Sequence, residues 1–203
     1  MYQLFRKTFE EFPVITLADI RMSFPDFNTK NLINWQRKEY LIKLRNGYYI
    51  FSDRKINEHL LSQVANKLYE PSYVSLESAL SFYGFIPEGV YSIQSVSTRK
   101  TNAFTTPVGT FHYYTIKNSF YFGYRLINEN SEHPIRMASP EKAMLDFLYL
   151  RPDINDIPSI EALRWNRDEL ANIDSATLEE YLLIFKSPTL QKKIDWLYTY
   201  LHA

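Results

Sequence analysis

Cysteine is absent from all 203 residues, so disulfides, thiolate metal ligands and a cysteine nucleophile are excluded, and the composition fits a reducing cytoplasm. Glycine is scarce. The five glycines, at positions 47, 84, 89, 109 and 123, form neither a GxxxxGK nor a GxGxxG pattern, which excludes a phosphate-cradling glycine loop. There is no GxSxG elbow. His59, His112, His133 and His202 are scattered, with no HExxH and no helical pair, so neither a metal site nor a cofactor is expected. No stretch reaches the ~20 apolar residues of a bilayer-crossing helix, and the opening MYQLFRKTFEEF has acidic residues but no small-residue cleavage site, so a soluble, cytoplasmic protein without membrane contact is expected. Net charge is missing as well: 23 basic residues balance 23 acidic ones. A neutral total argues against wholesale coating of nucleic acid, so any such contact must be local to one face.

Against these absences, 45% of the chain is hydrophobic, enough for a proper core in one or two domains of a 24.1 kDa protein. The clearest local signal is Asn28 to Phe51, which reads as one helix running into a tight hairpin. Asn28 or Thr29 can accept from the first free helix N–H groups, and Leu32, Ile33 and Trp35 fall where they can face a core. Lys30, Asn31, Asn34, Arg37 and Lys38 are assigned to the outer side. Leu41 to Leu44 and Tyr48 to Phe51 are β-prone, and Asn46-Gly47 between them supplies the two positive-φ residues of a type I′ turn. Lys43 and Arg45 flank that turn. Residues 28 to 55 hold seven basic residues against two acidic ones, a net of +5 in a neutral chain. A helix with amide and cationic side chains outward, followed by a basic hairpin, suits the recognition helix and wing of a winged helix-turn-helix on duplex DNA. The candidate DNA-binding residues are therefore Lys30, Asn31, Asn34, Arg37, Lys38, Lys43, Arg45 and Asn46.

The preceding residues complete this unit. Tyr2 to Phe9 reads as a first helix with Leu4, Phe5 and Phe9 inward, and Thr16 to Met22 as a second with Leu17, Ile20 and Phe24 inward. Residues 1–55 are thus expected to form the winged-helix domain and 56–203 a second domain, with the helix 57–69 as connector. In the second part the period changes to two from Tyr91 to Met137. Ser92 to Thr98, Thr110 to Lys117, Tyr121 to Ile127 and Ile135 to Met137 read as strands of an antiparallel sheet, with the strand around Phe111 and Tyr113 covered on both sides. Ser75 suits a helix N-cap and Gly84 a left-handed helix end. Ser139-Pro140-Glu141 starts a helix running to Leu150, and two more helices are expected over Thr177 to Phe185 and Thr189 to Leu201. The expected fold class is α+β: a winged helix followed by an antiparallel sheet with packed helices.

An enzymatic alternative rests on Glu77, Glu88, Glu141 and Asp146 with Lys100 and Lys142, which together could form an acid cluster with lysine as in a metal-dependent nuclease or nucleotidyltransferase. Their placement gives a simpler account: Glu141 fits a helix N-terminus, and Lys142 and Asp146 are an i, i+4 pair. No catalytic residue and no metal ligand is assigned on this reading. The aromatic stretch Phe120-Tyr121-Phe122 lacks the glycine spacing of an RNA-recognition motif and is assigned to core.

The stretch PSYVSLESALSFYGFIPE (71–88), with Leu44 to Tyr49 before it and Ser95 to Lys100 and Ser139 to Asp146 after it, resembles the AbiEi family of antitoxins over roughly residues 40 to 150. The resemblance implies a winged-helix N-terminal domain that binds inverted repeats in its own promoter as an autorepressor, as a monomer in solution or by pairing on DNA. It also implies a C-terminal domain that neutralises a nucleotidyltransferase toxin without a tight complex, as in type IV toxin–antitoxin systems. Some family members also use basic surface on the C-terminal domain, but residues 56 to 203 here hold 13 basic against 17 acidic residues, so extensive DNA contact there is not expected. Arg99 and Lys100, at a strand end, are the candidate antitoxic surface. The rival non-enzymatic reading is a protein-interaction module whose winged helix is only a scaffold.

Overall fold

A computed structural model describes residues 1–87, 89, 91–129 and 131–202. Glu88 of the acid cluster and the side chain of His202 lie outside the described residues. Two hydrophobic clusters organise the mixed α+β fold, and the two strands of one hairpin contribute to both.

The first cluster is built by α1 (Tyr2–Thr8), α2 (Leu17–Ser23), α3 (Lys30–Arg37) and a three-stranded sheet of β1 (Ile15–Thr16), β2 (Leu41–Arg45) and β3 (Tyr48–Phe51) in the order β1-β3-β2. Phe5, Phe9, Ile20, Leu32, Trp35, Leu41, Tyr49 and Phe51 meet there. A capping box starts α2: the Asp19 N–H donates to the Thr16 hydroxyl at 3.1 Å, and the Asp19 carboxylate accepts from the Thr16 N–H at 2.8 Å. Two residues expected inside are outside: Leu4 is 57% and Ile33 52% exposed. At about 100° per residue, Ile33 sits beside Lys30 and Arg37 rather than beside Leu32, so an apolar side chain alone misled the assignment.

The hairpin also differs from expectation. Gly47 has φ +82°, but Asn46 is not among the positive-φ residues, so the turn is not type I′. Lys43 pairs with Tyr49 and Arg45 with Tyr48, a register shift that leaves Leu44 as the extra residue. Successive β residues alternate faces, and the extra residue reverses the alternation beyond it. Lys43 therefore shares the Tyr49 face, whereas Arg45 shares the Tyr48 face. β3 itself is enclosed on both sides: Tyr49 and Phe51 belong to the first cluster, Ile50 to the second, which Val14 and Leu44 also join.

The second cluster surrounds a six-stranded sheet, ordered β6-β7-β5-β4-β9-β8. Its strands are β4 (Ser72–Val74), β5 (Ser92–Ser97), β6 (Asn102–Thr106), β7 (Gly109–Thr115), β8 (Tyr124–Ile127) and β9 (Ile135–Ala138). The sheet is mixed, not antiparallel: β4 runs parallel to β9 and β5 parallel to β7. The missed strands cause the error. β6 follows β5 in the chain and turns back into β7 as an edge hairpin, which leaves β7 parallel to β5, and β4 enters the middle of the sheet ahead of the predicted region. Residues 118–120 form a 3₁₀ turn where a turn between strands was expected, but the next strand, β8, starts at Tyr124 rather than at Tyr121. On β7, Phe111 and Tyr113 are fully buried but His112 and Tyr114 only half-buried, so one face of that strand is partly open.

Helices close the sheet. α4 (Glu58–Leu68) is capped by Asn57, whose Oδ1 accepts from the Leu60 N–H at 2.9 Å, and it is pinned to β9 where the Arg136 N–H donates to Asn66 Oδ1 at 2.6 Å. α5 (Leu76–Phe82) and α6 (Pro140–Leu150) pack together. Ser139 caps α6 as expected, whereas the Ser75 hydroxyl leaves its own helix and donates to Asp146. Two short helices, α7 (Ile157–Glu161) and α8 (Arg167–Ala171), lie between α6 and the C-terminal helices. α9 (Ser175–Phe185) stacks Phe185 on Phe120 with ring centres 4.4 Å apart. α10 (Pro188–His202) sends Lys193 Nζ to the carbonyls of Leu148 and Arg151 at 2.7 and 2.6 Å, closing the end of α6. Among the described residues, no helix is long and apolar enough to cross a membrane.

Candidate nucleic-acid interface

The rotation of α3 about its own axis is fixed by Trp35. Its indole lies 4.7 Å from the ring of Phe5, 5.3 Å from Tyr2 and 5.7 Å from Phe27, and Leu32 is buried beside it. With that side anchored, Lys30, Ile33, Asn34, Arg37 and Lys38 are exposed at i, i+3, i+4, i+7 and i+8, one continuous outward face. Asn31 and Gln36 flank it and are half-buried, the Gln36 amide donating to the Leu32 carbonyl at 2.8 Å. The helix N-terminus is held by Asn28, whose Oδ1 accepts from the Lys30 N–H at 3.0 Å.

Across from this face stands the hairpin. A groove of about 700 Å³ at the far C-terminal end is unrelated to it, but one of about 600 Å³ separates α3 from β2 and β3. Ile33, Gln36 and Arg37 form one wall, Lys43 and Gly47 the other, and Leu17, Leu32 and Tyr49 lie along its base. Burial raises the Tyr49 phenol above its ordinary value, so it stays protonated and neutral there at neutral pH.

Lys30, Arg37, Lys38 and Lys43 are exposed, and none has an ion-pair partner among the described residues. Glu39, next to Lys38, is exposed and also makes no ion pair among the described residues, whereas the charges just beyond the hairpin are engaged elsewhere. Asp53 pairs with Arg6 at 2.8 Å, and Arg54 donates to the carbonyls of Phe12, at 3.1 Å, and Glu10. Four cations without an ion-pair partner among the described residues, together with the Asn34 amide, thus share one side of the molecule. Asn46 is exposed at the hairpin turn.

Arg45 lies elsewhere. The register shift turns it to the opposite hairpin face, where its guanidinium stacks 4.1 Å from the Tyr48 ring centre and 4.8 Å from that of Phe104 on β6. It joins the hairpin to the second sheet. The two candidate residues at the end of β5 also differ from each other. Arg99 stacks 4.3 Å over Tyr69 and donates to the Glu70 carbonyl at 3.0 Å, so its guanidinium holds the start of β4 in place. Lys100 is exposed, and its carbonyl accepts from the Tyr69 hydroxyl at 2.8 Å.

Of the acids considered for catalysis, Glu77, Glu141 and Asp146 each have partners of their own. Glu77 meets Arg151 at 3.4 Å, and Glu141 accepts from the Ser139 hydroxyl at 2.8 Å and lies 3.7 Å from Arg125. Asp146 and Lys142 are fully buried together. The ammonium donates to Asp146 and, at 2.8 Å, to the Tyr73 hydroxyl, while the hydroxyls of Tyr73 and Ser75 each donate to Asp146 at 2.9 Å. Burial pushes the Tyr73 phenol well above its ordinary value, with the Asp146 charge adding to it. Burial also lowers Lys142, with Asp146 opposing. Among the described residues, no group of three or more His, Asp or Glu side chains is placed to hold a metal ion.

Sequence reasoning missed Ile33, Gln36 and Tyr49 as groove residues. Helical arithmetic could have found Ile33, since it stands three residues after Lys30 and four before Arg37. Nothing local marks Tyr49.

The sequence matches no family model and no curated protein. Its fold is similar to the crystal structure of RV2827C protein from Mycobacterium tuberculosis, with a TM-score of 0.55 and 15% sequence identity over 91% of this chain and 71% of that one. At that identity the likeness concerns the fold.

Proposed function

We propose that the protein is a DNA-binding antitoxin and autorepressor of the AbiEi type, in which residues 1–55 form a winged helix-turn-helix domain and residues 56–203 the antitoxic domain. On this reading α3 is the recognition helix and β2-β3 the wing. The observation that carries it is the outward face of α3, where Lys30, Asn34, Arg37 and Lys38 stand together and unpaired, with Lys43 across the groove. Amides and guanidinium groups read base edges in the major groove, while lysines hold phosphates. The target is an inverted repeat in the promoter of the protein's own operon, bound by two copies that pair on the DNA. The functional partner is a nucleotidyltransferase toxin, neutralised without a tight complex by the C-terminal domain.

Arg45 contributes to hairpin attachment rather than to DNA in this account, and Lys100 is the better probe of the antitoxic surface because Arg99 also holds the backbone near Glu70. The test is a shift assay on the promoter fragment. Arg37→Ala costs about 1 to 3 kcal/mol and relaxes preference at one base pair, as expected for a bidentate guanine contact; Asn34→Ala does the same at another. Lys43→Ala weakens all sequences alike. Lys100→Glu leaves the shift intact and abolishes rescue from the toxin. Full affinity in the Asn34→Ala, Arg37→Ala and Lys43→Ala variants refutes the DNA reading, and intact rescue by Lys100→Glu removes the antitoxic assignment.

A further inference from the structure

The outward face of α3 has an apolar centre. Ile33 is 52% exposed, and its helical neighbours on that face are Lys30, Asn34 and Arg37. It lines the wall of the groove that Lys43 faces. The rest of the helix does not require an apolar residue at this position: Leu32 and Trp35 supply its buried anchor. A branched aliphatic group ringed by cations and an amide fits a surface that is anionic at its edges and presents isolated methyl groups between hydrogen-bonding atoms. The major groove of B-form DNA is such a surface, because thymine alone among the bases carries a C5 methyl there.

We infer that Ile33 is a specificity-determining residue that packs against a thymine methyl, so that each half-site contains an obligatory thymine beside the base pair contacted by Asn34 or Arg37. The inference rests on the DNA-binding reading above and deepens it. Cationic neighbours supply the attraction to phosphate, which does not discriminate among sequences. Ile33 adds discrimination through buried apolar area, which a change of base removes without altering any charge.

The experiment replaces the thymines of the promoter duplex one at a time by deoxyuridine, which deletes only the methyl. Binding of the full-length protein is measured by fluorescence anisotropy. At one position per half-site the wild type binds about fourfold more weakly to uracil, the loss expected for one methyl removed from a packed contact. Ile33→Ala loses about as much on the thymine duplex and becomes indifferent to uracil at that position, while Asn34→Ala retains the sensitivity. Because Ile33 is exposed, the variant keeps its thermal transition, which is checked alongside. Specific binding with no uracil-sensitive position, or an Ile33→Ala variant that still distinguishes thymine from uracil, overturns the assignment of Ile33 while leaving the DNA-binding reading intact. Absence of binding by the wild type to any duplex overturns both.

Discussion

Lys142→Met removes one charge from a fully buried polar network and leaves the other behind. Both Lys142 and Asp146 are fully inaccessible to solvent, and the aliphatic part of the lysine is replaced by a methionine of similar length. The stranded carboxylate keeps two hydroxyl donors, Tyr73 and Ser75, each at 2.9 Å. It loses its only counter-ion among the described residues, a change that costs about 3 to 5 kcal/mol when nothing replaces the missing partner. The surviving hydroxyl donors place this case near the lower figure, about 3 kcal/mol. For a chain of 203 residues that corresponds to a fall in Tm of about 6 to 12 °C. The double variant Lys142→Met with Asp146→Asn removes both charges while retaining an acceptor for the hydroxyls, and recovers most of the loss. Urea unfolding followed by circular dichroism measures all the variants. A Lys142→Met protein within about 1 kcal/mol of wild type, or a double variant less stable than either single one, refutes the argument that the pair is held by mutual compensation.

Arg45→Ala lowers stability by about 1 kcal/mol, the scale of its stacking contacts with Tyr48 and Phe104, without changing the salt dependence of DNA binding; a reduced salt dependence in binding titrations would return Arg45 to the interface. Gly123→Ala destabilises by at least about 2 kcal/mol in the same unfolding assay, because Gly123 has φ +70° and a Cβ there would stand 2.9 Å from Tyr181 and 3.1 Å from Lys142. The Arg151 guanidinium holds the Asp153 carboxyl at about 2, below the ordinary 3.8. The unfolded chain therefore binds the proton first, and the stabilisation is fully present above pH 3.8 and fades as pH falls toward about 2. Carboxyl carbon NMR titration shows a midpoint near the lower value, moving up to the ordinary one in Arg151→Ala.

The features legible in the sequence were those set by short-range spacing. Trp35 and Leu32 announce the buried side of α3, Ser139 and Pro140 the start of α6, and Gly84, at φ +76°, the end of α5. What remained hidden depends on partners distant in the chain. Ile15–Thr16 is too short to display any period, and Ser72–Val74 becomes a central strand only because β5 and β9 enclose it. Asn102–Thr106 is a mostly exposed edge strand whose polar residues look like a loop. Without β4 and β6, the parallel pairings could not be deduced. On the candidate interface, residue identity showed the cations, but only the register shift at Leu44 separates Lys43 from Arg45. Tyr73 and Ser75, far in the chain from Lys142 and Asp146, form the buried network with them, so these positions record how the second core is held together.

The salt dependence of duplex binding tests the central claim most directly, because it counts phosphate contacts. If Lys30, Lys38 and Lys43 each neutralise one phosphate, the plot of log affinity against log salt has a slope near −2.7 per bound protein, a loss of about 40-fold between 50 and 200 mM. Lys43→Ala reduces the slope to about −1.8, and each of the other two lysine replacements reduces it by a similar step. A slope near zero, or one that none of the three replacements changes, contradicts the assignment of this face to DNA.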